Sequence, residues 1–428
     1  MSLLDTSPGA AGALVLSDSE EQGAAPPLLG LAELFRTALQ EVDIARHVPG
    51  LIARAEREAD AYALLDLALI HQLRFQKESG LAILGEALKL RQVFRIASGG
   101  DQALHLLVIK TPGDLTANTP LECILENAGM TIDVLYVGPG LEWPARLPPH
   151  DLVFVAIGEA DSHRATLAQL AVYLKDWPRS VLNRPQNVPH LSRAEAFDVL
   201  HDVPGLCMTP TYRIDRAALE QLATGAVSLP HQWGDLRFPI IVRPQGAHGG
   251  IQLSRIEAAE DIAVYLRQAD AERFFVSNFI DYASADGLFR KFRVVLIDGH
   301  PFLAHMGISE HWVVHYPYKE MKADPARRAE EASRMARFDD DFAVRHGRAM
   351  AAIHERIGLD YVGFDCAETR DGDLLVFELS NALVIHAADD PALFPYKIPQ
   401  MQKIFHAFRD MLSAKARRNG EHTDAAGL

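Results

Sequence analysis

The chain has 428 residues, and its content of 48% hydrophobic and 23% charged residues is typical of proteins that form two or three domains with full hydrophobic cores. The formal net charge of -15 would repel a phosphate backbone, and no basic stripe with interleaved aromatic residues offsets it, so we expect no nucleic acid partner. No apolar run reaches the roughly 20 residues of a membrane helix, and no secretion signal is recognisable, so we expect no membrane partner and a cytoplasmic location.

The N-terminal part of the chain divides into a polar segment and a helical region. Residues 1–27 are small, polar and rich in Pro and Gly, a composition that predicts a disordered tail, and residues 413–428 predict a second one. Residues 28–100 carry helical periodicity, and the pattern within 61–94 loosely resembles one tetratricopeptide unit. Because such arrays need about three units for stability, the alternative is a set of helices that simply pack on the next domain. A repeat-like region would make a protein or peptide partner plausible.

Residues 101–190 alternate between two periodicities. Apolar runs typical of strands occur at 103–109, 131–137, 152–157 and 181–182, and helical patterns separate them. This alternation predicts a parallel sheet with crossover helices, an α/β domain. From about 229 to 408 the chain instead shows longer strands joined by hairpins, with helices between them, which predicts an α+β part within a region that we bound at 191–412.

A cation and a glycine-rich loop follow the apolar strand at 238–242. Arg243 ends the strand, and Gly246, Gly249 and Gly250 lie in the loop after it. Glycines let backbone N–H groups approach phosphate oxygens, and the guanidinium adds a permanent positive charge beside them. The loop could therefore cover a triphosphate. A plain glycine-rich hairpin turn is the alternative.

Two apolar strands around an Asp-Gly turn bring a pair of carboxylates together. If Asp371 and Gly372 form a two-residue hairpin loop, counting outward places Asp365 directly opposite Glu378. Like charges opposed among apolar neighbours are destabilising, and a divalent cation between them would remove the conflict. Oxygen ligands completed by phosphates and water favour Mg²⁺. The alternative is a solvated face that binds no metal.

With these motifs, the chain resembles the ATP-grasp superfamily over roughly 104–408. The resemblance implies a multidomain protein of mixed α/β and α+β class. Its parts would be an N-terminal helical region, a parallel α/β pre-ATP-grasp domain and an ATP-grasp catalytic fold that binds ATP and Mg²⁺.

The resemblance also assigns roles to individual residues. It implies that Arg193 and Arg243, with the loop glycines, contact ATP phosphates, and that the hinge strand holds adenine through Ser277, Asn278, Phe279 and Ile280. Catalytic cations would be Arg293 and Lys291, which strand alternation places on one face. A solvated basic edge strand is the alternative for that pair. The metal ligands would be Asp365, Glu378 and Asn381.

The chain departs from the family pattern at three places. Arginine stands at 193 and 243, where lysine is common, and presents a larger fork to the phosphates. The third metal ligand is usually an Asn two residues beyond the Glu, but Ser380 occupies that position. Either Ser380 itself is the ligand, or a bulge turns Asn381, one residue later, inward. His311 lies where acceptors pass in related enzymes and is a candidate for contacting the substrate, with simple packing as the alternative.

Together these features predict an ATP- and Mg²⁺-dependent ligase. It would convert a small-molecule or peptide carboxylate to an acyl phosphate and join it to an amine or another nucleophile, releasing ADP and phosphate. The alternatives are a kinase that leaves the phosphate on its product, and a nucleotide-regulated module that binds a peptide or protein without turnover.

Overall fold

A computed structural model describes residues 28–97, 99–100, 103–246, 250–314 and 319–425. The predicted tail at 1–27 therefore lies outside the described residues. Within them, no helix is long and apolar enough to cross a membrane. The α-helices are α1 Gly30–Leu39, α2 Val48–Glu58, α3 Ala61–Leu73, α4 Lys77–Leu90, α5 Leu121–Ile124, α6 Arg164–Tyr173, α7 Arg193–Leu200, α8 Arg216–Ala223, α9 Leu229–Trp233, α10 Ala259–Gln268, α11 Lys319–Ala323, α12 Pro325–Ala336, α13 Phe342–Arg345, α14 Gly347–Ile357 and α15 Lys397–Ala425.

The strands form three sheets, and the mixed α/β and α+β class predicted from the sequence is confirmed. The strands are β1 Val93–Ala97, β2 His105–Lys110, β3 Thr131–Tyr136, β4 Leu152–Val155, β5 Ser180–Leu182, β6 Leu206–Cys207, β7 Thr211–Asp215, β8 Ile240–Pro244, β9 Ser254–Ile256, β10 Arg273–Asn278, β11 Phe289–Ile297, β12 His300–Ser309, β13 Tyr361–Glu368 and β14 Leu374–Ser380.

The first sheet has the order β1-β3-β2-β4-β5, and its last four strands in that order are mutually parallel, as predicted. Their near-continuous burial is typical of a sheet that is covered on both faces. The edge strand β1 is antiparallel to β3 and was not predicted. The last N-terminal helix ends at Leu90, and the chain continues as a strand. In this strand Phe94 is fully buried and lies between the rings of Tyr62 and Tyr136.

The second sheet is a small antiparallel one with the order β7-β10-β8-β9 and its own core against α8 and α10. The third has the order β12-β11-β13-β14-β6 and is antiparallel except for the β14–β6 pair. Helix α12 covers its β12 edge. There Glu331 accepts a hydrogen bond from the Met306 N–H at 3.0 Å, and Arg327 donates to the Ile308 carbonyl at 3.2 Å. These side chains satisfy backbone groups that an open edge would leave unpaired.

The C-terminal helix corrects one prediction. Residues 413–425, predicted as part of a disordered tail, continue α15, while 426–428 lie outside the described residues. Composition alone missed two anchors. The Phe408 ring packs 5.7 Å from Phe154 of β4 and 5.3 Å from Tyr361 of β13, and Lys415 forms an ion pair with Asp360 at 2.7 Å. The helix thus joins the parallel sheet to the third sheet.

Candidate functional site

The hairpin between β13 and β14 brings Asp365 opposite Glu378, as predicted, but by a different route. The loop has three residues and not two, because the Thr369 N–H donates to the Asp373 carbonyl at 2.9 Å. That shift alone would move Glu378 out of register. A bulge leaves Phe377 without a directly opposed partner and restores the pairing. The predicted loop was wrong by one residue, and the bulge cancels the error.

A row of polar residues crosses four strands of the third sheet on one face. His305, Arg293, Asp365 and Glu378 occupy opposed positions on β12, β11, β13 and β14. Arg293 holds Asp365 with two hydrogen bonds, from Nε at 2.8 Å and from NH2 at 3.1 Å, and Lys291 adds a third from Nζ at 3.0 Å. Strand alternation predicted that Arg293 and Lys291 share one face of β11, and both side chains contact Asp365; their catalytic role stays a prediction.

Protein cations therefore neutralise Asp365, whose side chain is 4% exposed. Burial alone would raise the pKa of Asp365, but Arg293 and Lys291 outweigh it and hold the pKa well below its usual range. Burial, with Arg293 and Lys397 nearby, keeps the pKa of His305 well below 6.5, so this imidazole is neutral at pH 7. The cations of the protein thus relieve the repulsion expected between the two carboxylates. A bound metal is not required for that purpose.

The second carboxylate is more accessible and contacts a different cation. Glu378 is 37% exposed, and its Oε2 lies 2.7 Å from NH2 of Arg193. Arg193 also donates to the bulged Phe377 carbonyl at 3.0 Å. Ser192 caps α7, since its Oγ accepts from the Glu195 N–H at 3.3 Å, and this cap positions Arg193 at the start of the helix.

Arg243 of β8 extends the cationic group from the second sheet. Burial, and then the nearby charge of Arg193, lower its pKa to about 10, and Glu378 acts in the opposite direction. These effects show that Arg243, Arg193 and Glu378 lie within electrostatic range of one another. The site therefore draws its cations from two sheets and from the first turn of α7.

The glycine-rich loop is described only in part. Gly246 and Gly250 have φ of +79° and +72°, a conformation that L side chains rarely adopt, whereas Gly249 lies outside the described residues. The loop starts close to the first sheet's connections, because Gln245 Nε2 donates to Asp161 at 3.0 Å. Phosphate contact by these glycines stays a prediction.

The predicted hinge strand is β10, which ends at Asn278. Ser277 and Asn278 pair with β8, and the Phe279 N–H donates to the Pro239 carbonyl at 3.0 Å. The Asn278 side chain bonds to the backbone at Asp235 and Arg237. Ile280 packs partly buried against Tyr282. An adenine contact by these residues stays a prediction.

The third predicted metal ligand has other contacts. Asn381 is fully buried just beyond β14, and its Nδ2 donates to the Ile157 carbonyl at 2.9 Å. Its backbone carbonyl accepts a hydrogen bond from Thr119 at 2.8 Å, so Thr119 does not cap α5. The bulge lies before Glu378 and leaves the spacing from Glu378 to Asn381 unchanged. Within the described residues, Oδ1 of Asn381 is buried and accepts no hydrogen bond, and metal binding by Asn381 stays a prediction. Ser380 Oγ accepts from the Ala382 N–H at 3.0 Å.

His311, the remaining predicted catalytic residue, lies just beyond the end of β12. Its N–H donates to Ser309 Oγ at 3.0 Å. The neighbouring Trp312 ring packs 5.7 Å from Phe279, and its carbonyl accepts a hydrogen bond from Tyr282. This segment therefore contacts the hinge strand, and a substrate role for His311 stays a prediction.

A buried polar network beside the row was not predicted. Lys397, 4% exposed, lies 3.3 Å from both Glu331 and Asp389, and burial lowers the pKa of nearby His386 to about 4. The Phe35 ring of α1 packs 5.0 Å from His386. These residues come from three distant segments, so only the fold brings them together. The sequence signal that could have indicated this network is Lys397, a charged residue beside the apolar residues that begin α15.

The carboxylates of the row are compatible with Mg²⁺ binding if phosphate oxygens and water supply the remaining ligands. No group of three or more His, Cys, Asp or Glu side chains within the described ranges is arranged to hold a metal by itself. Two carboxylates in one row are nevertheless the usual protein share of a Mg²⁺ site whose other ligands are phosphate oxygens and water. Asp365 and Glu378 fit that share.

Comparisons with protein-family models and with curated proteins found no match, but several solved structures are similar to the chain. The D-alanine-D-alanine ligase from Bacillus anthracis, complexed with ATP, has 13% identity and a TM-score of 0.45, with 74% of this chain and 99% of that chain covered. The VanG D-Ala:D-Ser ligase from Enterococcus faecalis has 12% identity and a TM-score of 0.45, with 74% and 100% covered. The ATP-grasp ligase PsnB, complexed with a phosphomimetic variant of minimal precursor, Mg and ADP, has 15% identity and a TM-score of 0.41, with 73% and 98% covered. Because these likenesses are remote, the function proposed below rests on this chain's own side chains.

Proposed function

We propose that the protein is an ATP- and Mg²⁺-dependent ligase of the ATP-grasp type that joins a carboxylate to an amine. One observation carries this proposal. Asp365 and Glu378 lie opposite each other in a row with Arg293, Arg193 contacts Glu378 from a helix start, and Arg243 of the second sheet lies within electrostatic range of Glu378. Paired carboxylates beneath a surplus of cations suit a bound triphosphate with its divalent ion.

The proposed reaction has two steps. A substrate carboxylate oxygen attacks the γ-phosphorus of ATP and displaces ADP, which gives an acyl phosphate. The amine nitrogen then attacks the carbonyl carbon, phosphate leaves, and the nitrogen loses a proton. Direct attack by the amine on the carboxylate would have to expel an oxide ion, which is a poor leaving group. Phosphate is a good leaving group, so forming the acyl phosphate makes the second step feasible. The protein contributes position and charge for an in-line transfer.

The four cations have two different roles in the proposed reaction. Arg293 and Lys291, held on Asp365, place fixed positive charge beside the reacting phosphoryl group and stabilise the charge that develops there. Arg193 and Arg243 bind the phosphates that do not react. Asp365 and Glu378 would hold Mg²⁺, which when bound offsets the negative charge of the phosphate oxygens. His305 stays neutral and adds no competing charge to the row.

The experiment that tests the proposal compares the wild-type protein with Glu378→Gln and with the exposed-surface control Glu86→Gln. Each is incubated with ATP, Mg²⁺ and a small-molecule extract, and products are sought by mass spectrometry. We expect ATP-dependent products and ADP from wild type and the control, and neither from Glu378→Gln. Saturable ATP binding without ADP formation under any condition would contradict the proposal.

An isotope measurement separates the ligase from a kinase. With a substrate carboxylate labelled with ¹⁸O, a ligase transfers label to inorganic phosphate. A kinase retains the label in a phosphorylated product.

A nucleotide-regulated binding module is the second candidate, and one observation favours it. Both carboxylates already have cationic partners within the protein, so the site is electrostatically satisfied without a metal. In that case the ATP phosphates would replace the carboxylates as partners of these cations. The protein would then change conformation without hydrolysing ATP. Acceptor-dependent ADP formation would exclude it.

A further inference from the structure

A cavity separate from the carboxylate row lies between the N-terminal helices and the first sheet. Its volume is about 550 Å³, within the range of small-molecule sites. Residues of α1, α3 and α4 form one wall, and residues of β1, β3, the end of β2 and the connection from β2 to β3, which contains α5, form the other. The cavity therefore exists only because the helical region packs on the sheet.

The cavity wall combines apolar surface with a buried ion pair. Leu65, Leu84 and Val134 contribute apolar surface. Lys110, 6% exposed at the end of β2, lies 2.5 Å from Oε1 of Glu122. A site of this composition binds a ligand that is apolar along most of its length and polar at one end.

The charges of the wall define which polar end fits. Four carboxylates line the cavity, those of Glu33, Asp114, Glu122 and Glu126, against the single ammonium of Lys110. Arg36 pairs with Glu126 and Lys77 with Asp114 from outside the lining. Four carboxylates against these three cations leave an excess of one negative charge, which favours a cationic over an anionic ligand.

Glu122 is the residue that a cation would contact. Its Oε1 accepts from Lys110, but within the described part of the chain its Oε2 is buried and accepts no hydrogen bond. An unpaired buried carboxylate oxygen is costly, and a donor removes that cost. The side chain keeps 17% of its surface accessible, and the terminal torsion of Glu is soft, so a rotation can present Oε2 to a ligand in the cavity.

We propose that this cavity binds a small apolar molecule or side chain that carries a protonated amine, and that Glu122 accepts the hydrogen bond from the amine. The site is distinct from the carboxylate row, but a short path connects them. The loop after β2 contributes Asn118 to the cavity wall, and the next residue, Thr119, donates to the carbonyl of Asn381. Occupation of the cavity can thus affect the end of β14.

Calorimetry on the full chain, with neither ATP nor Mg²⁺ present, tests the proposal independently of the catalytic one. The probes are tryptamine, its alcohol analogue tryptophol and indole-3-acetate, which share a ring but end in a cation, a neutral group and an anion. We expect tryptamine to bind at least tenfold more tightly than tryptophol, because an ammonium adds an ion pair to its hydrogen bond with Glu122 and a hydroxyl does not. Indole-3-acetate should bind more weakly still, because its carboxylate is repelled by that of Glu122.

Two variants locate the binding. Glu122→Gln should bring tryptamine to the affinity of tryptophol, while Glu86→Gln, on an exposed part of α4, should leave it unchanged. Equal affinities of the three probes for the wild type, no binding of tryptamine, or unaltered tryptamine binding by folded Glu122→Gln would each overturn the proposal. If Glu122→Gln does not fold, because it weakens the partner of buried Lys110, the three-probe series on wild type still decides.

Discussion

The two carboxylates of the row differ in burial, and this difference predicts that equivalent substitutions have unequal effects on stability. Asp365 is 4% exposed, and its cationic partners Lys291 and Arg293 are 17% and 16% exposed. Asp365→Asn removes the charge between two buried cations, and breaking a buried ion pair costs about 3–5 kcal/mol. Because Asn keeps one acceptor oxygen, we expect the lower end, about 3 kcal/mol.

Glu378→Gln should behave differently. Glu378 is 37% exposed and Arg193 is 23% exposed, so solvent screens this pair, and its loss should cost roughly 0–1 kcal/mol. Thermal unfolding followed by circular dichroism measures both. For a catalytic region of about 200 residues, 3 kcal/mol corresponds to a decrease of roughly 6–12 °C in Tm for Asp365→Asn. Both variants should lose ADP formation, so only Glu378→Gln separates catalysis from folding.

The pH dependence of the Tm difference between wild type and Asp365→Asn can refute this account of Asp365. The folded-state pKa of Asp365 lies below its unfolded value of 3.8, so its stabilisation is fully present above pH 3.8 and is lost only as pH falls through the folded pKa. The Tm difference between wild type and Asp365→Asn should therefore stay constant from about pH 8 to about pH 5. Equal Tm values for the two variants, or a difference that disappears by pH 5, would show that the cations do not hold Asp365 as described.

Three further predictions test other parts of the site. Arg293→Lys keeps the charge but loses the two-pronged contact with Asp365, and we expect kcat/KM to fall by roughly 10–100-fold with a smaller loss of Tm than in Arg293→Ala, measured by ADP release and thermal unfolding. Thr119→Val removes the hydroxyl that donates to the Asn381 carbonyl, and the urea midpoint should fall by the equivalent of about 1–2 kcal/mol; an unchanged midpoint would mean that this contact does not stabilise the junction. His386 has its pKa lowered to about 4 against 6.5, so the unfolded state binds more protons between these values and stability should fall as pH drops from 6.5 to 4. His386→Asn should flatten that slope in urea titrations, and an identical slope would contradict the assignment.

The sequence predicts the row of the site better than its surroundings, for a physical reason. Strand periodicity and the Asp-Gly turn are local signals, so the register of Asp365 against Glu378 could be predicted, although only because a bulge at Phe377 compensated for a longer loop. Bulges depend on tertiary packing, and no local pattern marked this one. The ion pairs of Asp365 could not be predicted, because they depend on the order of β11 beside β13.

Elsewhere, composition was a poor guide where long-range contacts decide the structure. The segment at 413–425 is polar, yet it is helical, because buried side chains earlier in α15 anchor the helix and Lys415 pairs with Asp360. The strand β1 follows helices closely and was assigned to them, although the burial of Phe94 under Tyr62 fixes it to the sheet. In both cases the deciding partner lies more than 30 residues away.

The charge of the row resolves an apparent conflict between the whole chain and its proposed substrate. The chain carries a formal charge of -15, which opposes anions at long range. At the site, the four cations Arg193, Arg243, Lys291 and Arg293 face two carboxylates, and four minus two leaves an excess of two positive charges. Bulk salt screens the distant acidic surface over about 10 Å, whereas the partly buried cations are screened much less. A phosphate-bearing ligand thus meets a net positive field at the row, whereas the absence of a nucleic acid partner stays a prediction.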